Sequence, residues 1–103
     1  MERTHQDGQL CETILCEYLL RKDFYVLRPA SAYGPVDVMA YNSNGDIYLF
    51  DAKKDMSRVN PNRTKSTRIH RVLTKLQKKL GVHMAYVNLE THHVHFIPNI
   101  EGL

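Results

Sequence analysis

The sequence predicts an α/β fold, with a mixed central β-sheet flanked by helices and elements in the order α-β-β-β-α-β-β. Two segments carry apolar residues at helical spacing, and five short apolar runs are bounded by turn-forming residues. A turn signal between the second and third runs predicts a hairpin. The helical segment between the third and fourth runs predicts a parallel crossover.

The first helix is predicted over residues 8–22 and the second over residues 64–80. The apolar stripe of the first comprises Leu10, Cys11, Ile14, Leu15, Tyr18 and Leu19. That of the second comprises Ile69, Val72, Leu73, Leu76 and Leu80. Asp7 can cap the start of the first helix, and Gly81 fits the position just past the end of the second.

The predicted strands are residues 24–28, 36–41, 47–53, 82–89 and 93–97. The hairpin turn is Asn-Ser-Asn-Gly at residues 42–45. Two prolines and a glycine predict a loop over residues 29–35. Residues 54–63 show no periodicity, and we expect a mobile loop there.

Length and charge define the class of protein. A chain of 103 residues suits one domain, residues 1–103. Its net charge is +3, but residues 53–79 hold ten lysines and arginines against one acid, Asp55. Such a basic segment favours contact with a polyanion. Cys11 and Cys16 lie five residues apart in a predicted helix, which turns them away from each other, so we expect no disulfide between them and a reduced, cytoplasmic protein. No apolar run reaches membrane-spanning length, so we expect no membrane partner.

Acidic and basic residues converge at the end of the third predicted strand. Asp51 and Lys53 are two apart and therefore share one strand face. Hairpin pairing can bring Asp37 beside Asp51. Two carboxylates in one place favour a hard cation, Mg²⁺ or Mn²⁺, and the lysine can stabilise charge on a phosphate. The pattern predicts metal-assisted phosphodiester cleavage.

These residues resemble the motif of the PD-(D/E)XK nuclease superfamily, most closely that of archaeal-type Holliday junction resolvases. The likeness lies in Pro35-Val36-Asp37, in Asp51-Ala52-Lys53 and in a helix-borne glutamate, Glu12, four residues after Gly8. It implies a restriction-endonuclease-like core. The resemblance also implies that Glu12, Asp37 and Asp51 are catalytic metal ligands, that the Ala52 carbonyl is a further ligand and that Lys53 is the catalytic lysine.

The same resemblance places Arg28 and Ser31 near the scissile phosphate. Further DNA contacts are predicted at Lys54, Arg58, Arg63, Lys65, Arg68 and Arg71. Helical periodicity does not choose between Glu12 and Glu17 as the helix-borne ligand. The basic helix face can equally be a solvated surface. His92, His93 and His95 allow a zinc site, although exposed strand positions are the commoner use of such residues.

The predicted function is a Mg²⁺-dependent DNA endonuclease resembling a Holliday junction resolvase, with roles in DNA recombination and repair. Two alternatives stay open: another nuclease of the superfamily, acting on nicks, flaps or repair intermediates, and a catalytically silent DNA-binding module. A four-way junction has near two-fold symmetry, and paired cuts in it require two active sites related by that symmetry. We therefore expect a homodimer.

Overall fold

The computed structural model describes residues 3–31, 33–55, 57–59, 66–68 and 72–103, with side chains over 6–31, 33–55 and 72–103. The elements in chain order are α1 (Arg3–Arg21), β1 (Tyr25–Leu27), β2 (Val38–Tyr41), β3 (Ile47–Lys54), β4 (Ser57–Val59), β5 (Ser66–Arg68), α2 (Lys75–Leu80), β6 (Val82–Val87) and β7 (Val94–Ile97). The five predicted strands are all present.

The main sheet has five strands in the order β1-β2-β3-β6-β7. The β3–β6 pair is parallel, and the other neighbours are antiparallel. This mixed sheet with its helices confirms the predicted fold class and the order α-β-β-β-α-β-β. One addition was not predicted: β4 and β5 pair with each other as a separate two-stranded sheet between β3 and α2.

The core lies between α1 and one face of the sheet. Helix α1 contributes Cys11, Ile14, Leu15 and Leu19 of its predicted stripe, with Tyr18 partly buried against them, whereas Leu10 is 49% exposed. Alternate residues of the strands meet it, among them fully buried Phe50 on β3. Within the described ranges, no helix is long and apolar enough to cross a membrane.

The start of α1 differs from the prediction. The helix already begins at Arg3, so Asp7 lies inside it and does not cap it. Asp7 is buried, and its Oδ2 accepts a hydrogen bond from Lys54 Nζ at 3.1 Å. A polar residue in the first turns is therefore explained by an ion pair with the sheet rather than by capping.

The hairpin between β2 and β3 forms as predicted. The Asn42 side-chain oxygen accepts hydrogen bonds from the backbone N–H groups of Asn44 and Asp46, both at 3.0 Å. Gly45 has φ 86°, a left-handed conformation that favours glycine. The turn sets the register in which Val38 lies opposite Phe50.

Two predictions about the basic segment are wrong. Residues 57–59 form β4, where a mobile loop was expected, and residues 66–68 form β5, where the second helix was expected. Helix α2 begins only at Lys75, because Thr74 and Gln77 form a capping box at its start. It ends, as predicted, before Gly81, whose φ is 74°.

Of the apolar stripe predicted for the second helix, Ile69 lies outside the described residues, Leu73 is partly buried, and the other three side chains are exposed. Val72 precedes α2 and is 81% exposed, while Leu76 and Leu80 are 53% and 45% exposed. The buried residue of α2 is the polar Gln77. Helical spacing of apolar residues therefore misidentified the side of α2 that contacts the sheet.

Candidate active site

The β2–β3 pairing places Asp37 beside Asp51. Asp37 directly precedes β2, and its backbone N–H donates to the carbonyl of Phe50 at 2.8 Å. Its side-chain Oδ2 accepts a hydrogen bond from the backbone N–H of Ala52 at 2.8 Å. The carboxyl of Asp37 therefore reaches across the strand to the backbone that flanks Asp51.

Burial and the neighbouring Asp51 both change the ionisation of the Asp37 carboxyl. Burial raises the pKa of Asp37 from 3.8 to about 6, and the hydrogen bond with Asp51 adds to the rise. The negative charges of Asp51 and Glu12 act in the same direction, whereas the hydrogen bond from Ala52 lowers the pKa. A cation placed between the carboxylates would relieve their repulsion.

Lys53 stands on the same side of β3 as Asp51. Its Nζ lies 3.6 Å from Oδ1 of Asp51, and the two side chains are 35% and 13% exposed. Strand alternation predicted this shared face. The lysine is partly open to solvent and can approach an anion that enters the site, while the carboxylate stays mostly covered.

Gln77 is a site residue that the sequence analysis missed. Its buried side chain donates to Oδ2 of Asp51 at 2.9 Å and to the carbonyl of Pro35 at 3.0 Å. The Thr-x-x-Gln pattern of residues 74–77 is a helix-start signal that was available in the sequence. The contact with Asp51 spans 26 residues and had no sequence signal.

A cavity of about 230 Å³ opens beside Asp37. Its lining includes Glu12 from α1, Arg28 and Ser31 from the loop after β1, and Asp37 itself. Thus four of the predicted site residues, contributed by three parts of the chain, share one concave surface. Arg28 and Ser31 share this cavity wall with Glu12 and Asp37, and their place near a scissile phosphate stays a prediction.

The two candidate helix glutamates have different surroundings. Glu12 lines the cavity and lies 3.7 Å from an Arg28 guanidinium nitrogen. Glu17 lies on the exposed side of α1 and pairs at 3.1 Å with Arg21, one turn further along the helix. Geometry therefore favours Glu12 over Glu17 as the glutamate that faces the candidate site.

The predicted DNA-contacting residues are distributed unevenly. Lys54 lies on the opposite face of β3 from Lys53, and its bond to the buried Asp7 counts against a phosphate contact. Arg58 and Arg68 belong to β4 and β5, which pair in antiparallel register. The predictions for Arg63, Lys65 and Arg71 lie outside the described residues.

The chemistry of the acid pair fits a hard divalent cation. Mg²⁺ is commonly held by one or two protein carboxylates together with water and substrate oxygens, and Asp37 and Asp51 supply such a pair. Among the described side chains, no three His, Cys, Asp or Glu residues form a group able to hold a metal ion. Glu12 therefore lines the cavity without completing a three-residue ligand set.

The histidines predicted as a possible zinc site lie on another part of the sheet. The rings of His93 and His95 stack with centroids 6.2 Å apart. His95 also stacks on Tyr86 and lies 3.9 Å from a carboxylate oxygen of Asp55. His93 is exposed directly before β7, as the alternative to a zinc site expected, whereas His95 is partly covered by these contacts.

The protein thus has an α/β fold with an acid–lysine cluster at the end of β3, the central strand of its main sheet. Among solved structures, the fold is similar to that of a bacterial homing endonuclease, I-Ssp6803I, with a TM-score of 0.64. The similarity covers 92% of this chain and 68% of the other, at 13% sequence identity. At that identity the likeness concerns the fold. No family model and no curated protein matches the sequence.

Proposed function

We propose that this protein is a divalent-metal-dependent endonuclease that hydrolyses phosphodiester bonds in DNA. The observation that carries the proposal is the placement of Asp37, whose Oδ2 accepts from the Ala52 N–H at 2.8 Å, next to Asp51, with Lys53 Nζ 3.6 Å from the Asp51 carboxylate. Two further facts support it: the basic residues that follow this cluster in sequence, and the similarity of the fold to a homing endonuclease.

In this proposal Asp37 and Asp51 hold Mg²⁺ or Mn²⁺, with the Ala52 carbonyl as a further ligand. A bound divalent cation supplies an acidified water and a Lewis acid for the scissile phosphate. Lys53 adds a positive charge where negative charge develops on the phosphate oxygens. With its pKa raised to about 6, Asp37 is mostly ionised at pH 7–8 and able to act as a ligand.

The cavity beside Asp37 is the proposed place of the DNA backbone. Arg28 and Ser31 on its wall offer a guanidinium and a hydroxyl, which are common phosphate contacts in protein–DNA interfaces. Glu12 lines the same space and pairs with Arg28 at 3.7 Å.

A cleavage assay tests the proposal. Purified protein is incubated with supercoiled, linear and branched DNA in Mg²⁺, in Mn²⁺ and in EDTA. We expect cleavage only with the cations, and a loss of roughly 100-fold or more for Asp51→Ala, Asp37→Ala and Lys53→Ala. Glu17→Ala, an exposed acid on α1, is the control and should retain full activity.

Absence of cleavage with every DNA form and both cations would remove the enzyme proposal. Salt-sensitive DNA binding without cleavage would then favour a catalytically silent DNA-binding module.

We further propose that the preferred substrate is branched DNA and that the protein acts as a homodimer. The sequence resemblance to Holliday junction resolvases supports the substrate. The near two-fold symmetry of a four-way junction supports the homodimer, because paired cuts need two active sites related by a two-fold axis. Symmetric paired cuts in a four-way junction, and sedimentation above the 12.0 kDa monomer mass, are the expected results. Equal cutting of nicked, flap and linear DNA would instead indicate a nuclease of broader specificity.

A further inference from the structure

Gln77 is a polar side chain in an otherwise exposed helix, and it is only 6% exposed. Its amide is fully used: Nε2 donates to Asp51 Oδ2 and to the Pro35 carbonyl, and Oε1 accepts from the backbone N–H of Thr74 at 3.0 Å. A flipped amide would put its oxygen against two acceptors, so these partners fix its orientation.

The partners of Gln77 are one carboxylate of the acid pair and the loop that leads to the other. Asp51 is one of the two carboxylates, and Pro35 lies two residues before the other, Asp37. The same side chain closes the capping box with Thr74, whose Oγ1 accepts from the Gln77 backbone N–H at 3.1 Å. One glutamine therefore ties the first turn of α2, the loop before β2 and the end of β3 together.

Glutamine suits this position because its amide is a neutral double donor. A lysine or arginine would bring a positive charge against Asp51 and compete with a cation. A glutamate would add a third negative charge and offer no donor when ionised. A methionine of similar length would leave the Pro35 carbonyl and Asp51 Oδ2 without this donor.

We propose that Gln77 is a positioning residue of the candidate metal site. By holding Oδ2 of Asp51, it presents Oδ1, the oxygen 3.6 Å from Lys53 Nζ, to the cation and the phosphate. This inference rests on the proposed function. In this role Gln77 acts through its contact with Asp51.

The test compares Gln77→Met with Thr74→Ala. Both variants weaken the capping box, but only Gln77→Met removes the contacts to Asp51 and Pro35. Calorimetric titration with Mg²⁺ and with Mn²⁺ gives cation affinity without any need for cleavage. We expect Gln77→Met to lower this affinity and kcat by about 10–100-fold, with KM for DNA nearly unchanged. Thr74→Ala should lower Tm by about 4–8 °C and leave cation affinity unchanged.

A second measurement covers the case in which Gln77→Met folds poorly. NMR spectra of the metal-free protein give the Nε2 proton resonances of Gln77. Relative to the wild type, these resonances should shift in the Asp51→Ala variant and stay in place in the Glu17→Ala variant. Unshifted resonances in Asp51→Ala would overturn the inference.

Cation affinity and kcat of Gln77→Met within twofold of the wild type would overturn it too, while leaving the nuclease proposal intact. Equal losses of cation affinity in Gln77→Met and Thr74→Ala would reduce Gln77 to a helix-capping residue. A wild-type protein that binds neither cation and cuts no DNA would overturn the proposed function and, with it, the positioning role.

Discussion

Replacing Asp37 with asparagine is expected to stabilise the metal-free protein at pH 8 and to have little effect at pH 4. The folded protein holds the Asp37 proton with a pKa of about 6, against 3.8 for the ordinary carboxyl, chiefly because the group is buried and contacts Asp51. The folded state therefore binds this proton more tightly than the unfolded chain. The resulting stabilisation is complete below pH 3.8 and is lost as the pH rises through about 6.

The size of the effect follows from the pKa shift. Each pKa unit corresponds to about 1.4 kcal/mol, so a shift of roughly 2 units gives an upper value of about 3 kcal/mol. Partial contact with water reduces this figure to about 2 kcal/mol. Asparagine resembles the protonated acid: its oxygen can still accept from the Ala52 N–H, and its amide can donate to Asp51. Asp37→Asn should therefore raise Tm at pH 8 by roughly 10 °C.

Thermal unfolding from pH 4 to pH 8 in EDTA measures this effect. Asp46→Asn makes the same charge change at an exposed turn residue and is the matched control. The difference in Tm between Asp37→Asn and the wild type should grow as the pH rises from 4 to about 6 and stay nearly constant from there to pH 8. Adding Mg²⁺ at pH 8 should stabilise the wild type more than Asp37→Asn. A difference in Tm that is constant with pH, or one equal to that of the control, would refute the coupling between the two carboxyls.

Three further outcomes are expected. Glu12→Gln should reduce DNA cleavage at least tenfold while Glu17→Gln leaves it unchanged, because only Glu12 faces the cavity; equal effects in a steady-state assay would contradict this assignment. Lys54→Met should lower the free energy of unfolding in urea by about 1–2 kcal/mol, because it removes the cation paired with buried Asp7. The same variant should leave DNA affinity unchanged in a filter-binding assay, and weaker DNA binding would restore Lys54 as a phosphate contact. Gly81→Ala should cost about 1 kcal/mol in the same unfolding assay, because its φ of 74° disfavours a side chain; a neutral effect would argue against the left-handed helix cap.

The parts of the fold that rest on local pattern were predictable from the sequence. The stripe of α1 and the turn that ends at Gly45 depend on residues close in the chain, and both formed as predicted. The same turn carried the prediction that Asp37 lies near Asp51, since hairpin register follows from turn geometry. Lys53 followed from strand alternation alone.

The basic segment was harder to predict because its local signals conflict. The spacing of Val72, Leu76 and Leu80 resembles a buried stripe, yet those side chains are exposed. The capping pair of Thr74 and Gln77 was the better signal for the helix start. The buried face of α2 is chosen by Gln77 through tertiary hydrogen bonds, and sequence periodicity does not encode such bonds.

Strand β3 links folding to the candidate chemistry through its alternation. Phe50 and Ala52 point into the core, and the intervening Asp51, with Lys53 beyond, points toward the site. A slip of one residue would bury two charges and expose a phenyl ring, which is a prohibitive exchange. A β3 strand paired in a shifted register therefore does not yield a stable folded protein with a rearranged candidate site. Variant libraries of the candidate site should keep β3 at full length and vary the cavity loop that carries Ser31, where substitutions leave this alternation intact.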